Sequence, residues 1–481
     1  MTRSIDKTEL GAFAFLGVST IASVLAAFGT GMYYLALIPF GLLVMYMSVI
    51  NFKFMYFLLL AAIPVSIEYY FSDSLATDLP DEPLMIGLML VTLVFILSSY
   101  SSLPTGFFGN FLIVALVMHL FWIFLCVLNS VEFVVSLKVF LAKMWYVTTF
   151  CFLTAIVVRT KADIKTAFWC IFIPLTLLII QVIIRHAMTG FSFDEINKPM
   201  PPFFRNHVNY AAILSVFFPF ILWARGEYTK GSFTRLLLTG SALLYVVAIY
   251  LSYTRTCYIA LALIAPVYLV IRFRLMKVAL AATAIGATVL VVYLFSSNHY
   301  LKYAPDFAET IIHDEFGEHL SSTFEGKDVS SMERVYRWVA ATQMFRDHPY
   351  MGFGPGNFYP YYKRYTISSF ETYVSDNPER STTHNYPLLL LSEQGAIGLG
   401  IFLFLTAVIF IYGEKVYHRI TDPGDKRIAL TMLLVIAMVY VNLLLSDMME
   451  SDKVGPFYFI CLAILASVDI RNRKLLKTEA K

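Results

Sequence analysis

Residues 108–128 read FGNFLIVALVMHLFWIFLCVL and contain no aspartate, glutamate, lysine or arginine. Because a helix needs roughly 20 predominantly apolar residues to cross the hydrocarbon core of a bilayer, this stretch is predicted to span a membrane. Comparable apolar runs follow one another along the chain, near residues 10–29, 33–50, 53–71, 83–100, 138–158, 164–188, 207–224, 234–253, 256–272, 276–296, 385–412, 428–446 and 453–470. The pattern predicts an all-α integral membrane protein with about 12 to 14 transmembrane helices.

The composition agrees with a lipid environment. Of the 481 residues, 58% are hydrophobic and only 14% are charged, and the mean hydropathy is +0.70. A soluble globular domain is about 25% charged, so no soluble core would hide this much apolar surface. The net charge of +3 points to no particular partner, and we expect no nucleic acid to bind. The five cysteines lie in apolar runs without metal-ligand spacing, so we interpret them as packed side chains.

The basic loops indicate the orientation of the chain. Lysine and arginine are enriched on the cytoplasmic side of membrane proteins. Alternate loops are basic here, namely VRTKADIK, ARGEYTKGSFTR, RFRLMK, GEKVYHRITDPGDKR and the C-terminal RNRKLLK. If both termini are cytoplasmic, all of these basic loops lie on the cytoplasmic side. The long polar insertion at residues 297–384 then lies on the opposite, outer side of the membrane. ATP and sugar nucleotides are absent there, which argues against a kinase, an ATPase or a nucleotide-sugar glycosyltransferase.

We therefore divide the chain into N-terminal transmembrane helices at 1–296, a large outer loop at 297–384 and C-terminal transmembrane helices at 385–481. Within the loop, SSMERVYRWVAATQMFRDHP has apolar residues spaced as on one face of a helix that ends at Pro349. Such a helix is suited to lying on the membrane surface. The next stretch, MGFGPGNF, is predicted to be a structural turn, and its glycine spacing fits neither GxGxxG nor a phosphate loop.

Four arginines are predicted to face outward, against the usual charge bias, namely Arg205, Arg255, Arg334 and Arg337. Arginine binds phosphate through a rigid planar fork and keeps its charge at any relevant pH. As a group they are candidates for a pyrophosphate site that needs no metal. For each one alone, snorkelling toward lipid headgroups or pairing with a nearby carboxylate is an equally good explanation.

His384 is the candidate general base, because it precedes a span at the outer surface and the unperturbed pKa of histidine is about 6.5. The alternative is an interfacial histidine bonded to a backbone carbonyl. Its neighbour Asn385 is a candidate substrate contact, and His207, near Arg205, is the competing histidine.

Two further features carry charge at the predicted outer ends of spans. Lys143 lies within a span, where charges are usually functional or paired. Because it is near the outer end, we expect it to snorkel, and we keep it as a candidate for the donor site. No acidic cluster has the spacing of a metal site, and the acidic stretch SDMMESD at 446–452 is interpreted as a solvated loop.

Three stretches together resemble the O-antigen ligase and polymerase superfamily of bacterial envelope proteins: SYTRTCYIALALI, RVYRWVAATQMFRDHPYMGFGPGNF and THNYPLLLLSEQGAIGLG. The resemblance covers the region from Arg255 to Gly400. It implies a GT-C-like glycosyltransferase of the bacterial inner membrane that needs no metal, nucleotide or other cofactor. The family's arginines map onto Arg255 and Arg334 and its essential histidine onto His384, although Thr254 stands where a serine is common.

The resemblance also implies partners and a mechanism. A glycan on undecaprenyl pyrophosphate is the implied donor, a hydroxyl of lipid A–core or another molecule is the acceptor, and the donor's lipid tail lies among the spans. Arg255 and Arg334, with Arg205, would hold the pyrophosphate while His384 deprotonates the acceptor, so the anomeric configuration should invert.

Several enzymes share this pattern. We favour a ligase because the histidine-asparagine pair looks most like that branch, with a polymerase or a protein O-oligosaccharyltransferase as alternatives. A transporter for a lipid-linked glycan is the more distant alternative, because transporters usually gather polar groups near the membrane midplane, whereas here they gather at the outer surface.

Overall fold

The computed structural model describes residues 7–32, 35–36, 38–72, 75–98, 103–296, 329–366, 375, 377 and 381–479. In this part the helices are α1 (Lys7–Thr30), α2 (Ile38–Ile50), α3 (Phe52–Val65), α4 (Asp81–Ser98), α5 (Phe111–Leu128), α6 (Phe133–Val157), α7 (Lys161–Met188), α8 (His207–Glu227), α9 (Phe233–Leu251), α10 (Arg255–Arg272), α11 (Met276–Phe295), α12 (Val329–Asp347), α13 (Phe358–Tyr361), α14 (Tyr386–Arg419), α15 (Pro423–Leu443) and α16 (Gly455–Glu479). One antiparallel hairpin, β1 (Ile67–Ser72) and β2 (Leu75–Leu79), joins α3 to α4.

The predicted fold class, an all-α integral membrane protein, is confirmed. Each predicted span falls on a helix, and among the described residues 10 helices are long and apolar enough to cross a membrane. The helices α1, α2 and α3 contain shorter apolar stretches, and the closer likeness to a GT-C fold stays a prediction. Much of the proposed outer loop domain, residues 297–328, lies outside the described part of the chain.

The helices differ in how much of their apolar surface is covered by protein. Of the most apolar 18-residue stretch in each helix, 72% is buried in α8 and in α15, against 6% in α11. The centre of the bundle is therefore built on α8, α15 and α16, where Phe217 meets Phe457 with ring centroids 5.9 Å apart. Most of the apolar surface of α11 is left to contact lipid, which solvates such side chains as well as a protein core does.

Ion pairs sort the connecting segments onto two ends of the bundle. One end holds the pairs Lys53–Asp163, Lys161–Asp422, Arg427–Glu227 and Arg471–Asp425. The other end holds the pairs Arg205–Glu68 and Lys143–Glu450, and there the imidazole of His384 lies 4.0 Å from Asp447. The basic connecting segments that the charge pattern predicted to share one side of the membrane thus meet at one end of the bundle. The assignment of that end to the cytoplasm stays a prediction.

The third span is shorter than predicted. It ends at Val65 and not near residue 71, because Ser66 has an extended backbone and the chain then enters β1. The ammonium of Lys453 donates to the carbonyl oxygens of Ile63 and Ser66 at 2.8 and 2.9 Å, so it satisfies carbonyls that the ending helix leaves open. Hydropathy alone does not reveal this cap, since Lys453 is distant in sequence.

The predicted loop helix is confirmed as α12, which ends at Asp347, two residues before Pro349. Its apolar face does not lie on the membrane surface as expected. Tyr336, Val339 and Met344 are buried, and the helix packs against α14 and the short turn at Tyr362–Tyr365. The helix is therefore fixed to the membrane bundle by protein contacts.

The predicted glycine turn docks into a break in α14. Gly395 has a φ of +69° inside this helix, so the helical hydrogen bonds are interrupted there. The backbone N–H groups of Phe353 and Gly354 donate to the carbonyls of Ser392 and Glu393 at 3.0 and 2.9 Å. The turn thereby satisfies carbonyl groups that the break exposes, which is how irregular backbone is tolerated at membrane depth.

Gly395→Ala should destabilise the protein by at least about 2 kcal/mol. A Cβ at this position would lie 2.3 Å from the carbonyl carbon of Tyr350, and the positive φ strains any other residue. Gly400→Ala in the same helix is the matched control, because its Cβ would meet nothing within 4 Å and alanine favours helix. Thermal unfolding in detergent should separate the two variants, and equal melting temperatures would contradict the docked turn.

Candidate functional site

His384 lies where the outer loop enters α14. Its backbone has a φ of +50°, an uncommon conformation for a residue with a side chain. The side chain is 35% exposed, so its imidazole is partly shielded by protein and still accessible from outside the bundle. Uncommon backbone conformations cost free energy and persist only where the surrounding structure holds them.

Asp447 is the carboxylate that faces His384. Its Oδ1 lies 4.0 Å from Nδ1 of the imidazole, and its Oδ2 accepts a hydrogen bond from the hydroxyl of Thr382. The interpretation of residues 446–452 as a solvated loop is therefore wrong, because Met448 and Met449 are also buried there. At 4.0 Å the carboxylate is beyond hydrogen-bond distance, and its charge stabilises the imidazolium that forms when the base takes a proton.

Arg334 and Arg337 extend from α12 toward the same place. Arg337 is buried, pairs with Glu333 at 3.3 Å, and donates to the carbonyl of Thr382 at 3.5 Å. Arg334 is half-buried and acts electrostatically on His384. The structure thus brings both arginines of the loop helix together with the candidate base.

These surroundings keep the imidazole of His384 neutral. Burial is the largest cause and lowers the pKa of His384, the charge of Asp447 raises it, and the charges of Arg337 and Arg334 lower it. The net pKa is about 4, against an ordinary value of 6.5. At neutral pH one ring nitrogen can therefore accept a proton. A general base must be in this state before the reaction begins.

Arg255 is the first residue of α10 and lies at the same end of the bundle as Asp447. The thiol of Cys257, on the first turn of α10, donates to the side-chain oxygen of Asn442 at 3.6 Å. Asn442 is in the last turn of α15, which leads directly to Asp447. This contact places Arg255 at the same end of the bundle as Asp447.

Asn385 caps the broken helix. Its side-chain oxygen accepts from the N–H of Leu388 at 3.0 Å, and its side-chain nitrogen donates to the carbonyl of Leu444 at 3.0 Å. Both ends of the amide therefore have protein partners. We assign Asn385 a capping role, which fits the strong preference for asparagine at this position, while its contact with substrate stays a prediction.

Arg205 and His207 lie at the same end of the bundle as His384, but their contacts are with the hairpin and with the loop before α8. Arg205 donates to Glu68 of β1 at 2.8 Å and is 66% exposed. His207 bonds through Nδ1 to the side-chain oxygen of Asn197 at 2.9 Å. These contacts attach the start of α8 to the hairpin and the preceding loop, and they do not link either residue to His384.

Lys143 does not snorkel, contrary to expectation. Its side chain is 7% exposed, forms an ion pair with Glu450 and donates to the hydroxyl of Tyr386 at 3.0 Å. Glu450 follows Asp447 in the same loop, and Tyr386 follows His384 at the start of α14. Lys143 therefore ties together the two segments that carry the imidazole and its carboxylate, and it is not free to contact a donor.

Sequence reasoning missed Asp447, Glu450 and the contact of Trp338, whose indole N–H donates to the carbonyl of Thr383 at 2.9 Å. The signal for the two acids was present, because carboxylates next to membrane spans need partners. The identity of those partners depends on long-range packing that one sequence does not display.

Lys143→Met should lower the free energy of unfolding by about 2–3 kcal/mol, because Glu450 and Tyr386 lose a charged partner. The cost stays below that of a fully buried pair, since Glu450 is 37% exposed. The control is Lys198→Met, whose exposed pair with Glu195 should contribute no more than about 0.5 kcal/mol. Unfolding in mixed micelles measures both, and an equal loss in the two variants would rule out a stabilising role for the buried pair.

A comparison with models of known protein families finds a match that covers most residues of this site. The family model described as O-Antigen ligase matches residues 240–403, a segment that includes Arg255, Arg334, Arg337 and His384. A search of curated proteins gave no match. The protein is a multi-pass membrane protein whose residues 240–403 match the O-Antigen ligase family model, and this match supports its resemblance to the O-antigen ligase and polymerase superfamily.

Proposed function

We propose that the protein is a ligase-type glycosyltransferase that moves a glycan from undecaprenyl pyrophosphate to an acceptor hydroxyl of lipid A–core. The observation that carries the proposal is the meeting of a neutral imidazole, a carboxylate and two arginines at one end of the bundle. We place this end on the periplasmic face of the inner membrane, from the distribution of basic loops.

The arginines suit the donor. Arg334 and Arg255, with Arg337, would supply the positive charge that holds the pyrophosphate. A guanidinium holds phosphate oxygens in a fixed, bidentate geometry and stabilises the charge that develops as the pyrophosphate leaves. This chemistry requires no metal ion.

The imidazole suits the acceptor. His384 takes the proton of the acceptor hydroxyl as its oxygen attacks the anomeric carbon, and the bond from that carbon to the pyrophosphate oxygen breaks. Undecaprenyl pyrophosphate leaves with the bonding electrons, and the glycan is joined to the acceptor with inverted configuration. Asp447 stabilises the imidazolium until the proton passes to water.

The acceptor distinguishes three related functions. A polymerase would use a second carrier-linked repeat unit, and a protein O-oligosaccharyltransferase would use serine or threonine. We place the ligase first because of the histidine-asparagine pair in the resemblance. No contact of the described residues separates these acceptors, so the choice is left to an experiment.

The test is deletion of the gene in the native host, complemented with the wild type or with His384→Ala. Under the proposal, the deletion strands long glycan on undecaprenyl pyrophosphate and leaves bare lipid A–core, and His384→Ala fails to restore transfer. Analysis of the lipid carrier, the lipopolysaccharide and the glycoproteins measures this outcome. His418→Ala is the control, because His418 bonds to the carbonyl of Ile271 away from the site.

Other outcomes would overturn parts of the proposal. Single repeat units on both carrier and core would indicate a polymerase, and normal lipopolysaccharide with unglycosylated proteins would indicate a protein transferase. Full complementation by His384→Ala would remove the general base assignment for any acceptor. Movement of lipid-linked glycan across liposomes without transfer would indicate a transporter instead.

A further inference from the structure

The strained backbone at His384 is held by α12. Two consecutive residues of that helix reach the two residues before His384: Arg337 donates to the carbonyl of Thr382 at 3.5 Å, and the indole N–H of Trp338 donates to the carbonyl of Thr383 at 2.9 Å. The bond from Trp338 is the shorter of the two and joins the residue next to His384.

The other contacts of Thr382 and Thr383 do not duplicate the bond from Trp338 to the carbonyl of Thr383. The hydroxyl of Thr383 bonds locally, donating to the carbonyl of Asn385 at 2.8 Å, so it anchors nothing outside the segment. The hydroxyl of Thr382 is joined to Asp447. Through the bond to the carbonyl of Thr383, α12 therefore holds the backbone directly before His384, whose φ is +50°.

We propose that Trp338 is a positioning residue, whose indole N–H fixes the backbone at Thr383 so that the imidazole of His384 stays beside Asp447 and facing the acceptor. The inference rests on the proposed role of His384 as the base. Trp338 is not itself assigned a contact with substrate. Without its bond, His384 relaxes toward an ordinary backbone conformation and turns toward water.

The test compares Trp338→Phe with Trp169→Phe. Both changes remove one indole donor and keep an aromatic ring, but Trp169 donates to the hydroxyl of Tyr228 at 2.9 Å at the opposite end of the bundle. The first readout is transfer by the purified protein. We expect Trp338→Phe to lower kcat by about 10- to 100-fold with KM for the donor little changed, because a base displaced by about 1 Å loses this much.

The second readout does not need activity. Diethyl pyrocarbonate modifies neutral imidazole, and mass spectrometry of the peptide carrying His384 gives its reactivity at each pH. In the wild type this reactivity should stay constant down to about pH 5.5, because the pKa of His384 is lowered to about 4. In Trp338→Phe it should fall below about pH 6.5, the value for a hydrated histidine, while Trp169→Phe behaves as the wild type.

The outcomes separate this proposal from the proposed function. Trp338→Phe matching Trp169→Phe in both readouts would overturn the positioning role. His384→Ala, assayed in parallel, would overturn the base assignment if it retained transfer, while the modification experiment would still report whether Trp338 holds the ring. If Trp338→Phe unfolds more readily than Trp169→Phe, Trp338→His supplies a donor from a similar position, and recovery of transfer supports the proposal whereas continued loss contradicts it.

Discussion

In lipid every backbone polar group needs a partner within the protein, and the break in α14 meets this constraint through the turn that follows α12. Gly395 interrupts the helix, and the N–H groups of Phe353 and Gly354 close onto the carbonyls that the interruption exposes. In the other direction, the N–H of Ala396 donates to the carbonyl of Pro349 at 2.8 Å. The outer loop is therefore joined to the membrane bundle by main-chain hydrogen bonds as well as by apolar packing.

This junction also determines where the charges lie. Because the turn fixes the C-terminal end of α12, the helix presents Arg337 and Trp338 to the backbone just before His384. From the membrane side, Lys143 joins Tyr386 to Glu450 and so holds the start of α14 against the loop that carries Asp447. The imidazole lies between these supports, shielded enough to remain neutral and exposed enough to meet an acceptor.

Much of this architecture is predictable from the sequence, because hydropathy and helical periodicity are local properties. The spans, the loop helix and the structural nature of the glycine turn follow from such patterns, whereas the grouping of His384 with Arg334 follows from the family resemblance and that of Arg337 from its position and charge. The remainder depends on contacts between distant segments. Lys453 ends α3 across 390 positions of sequence, and Lys143 finds Glu450 across 307.

For the polar residues next to the spans, too, the sequence does not reveal which distant residue is the partner. A lysine near a helix end is compatible with snorkelling or with a buried pair, and an acidic loop is compatible with solvent or with an imidazole. The deciding contacts join distant segments: Lys143 of α6 meets Glu450 and Tyr386, and Asp447 lies beside His384. Asn385 is a similar case, because an asparagine before a span serves equally as a helix cap or as a ligand until its partners are known.

The proposed function requires a neutral His384 that acts as the base of a metal-independent transfer. The most direct measurement is kcat/KM for the lipid-linked donor against pH, with purified protein in the presence of EDTA. We expect full activity with the chelator and an acid limb well below pH 6, since the pKa of His384 in the free protein is lowered to about 4. An acid limb near pH 6.5, or activity that returns only when a divalent metal is added, would contradict it.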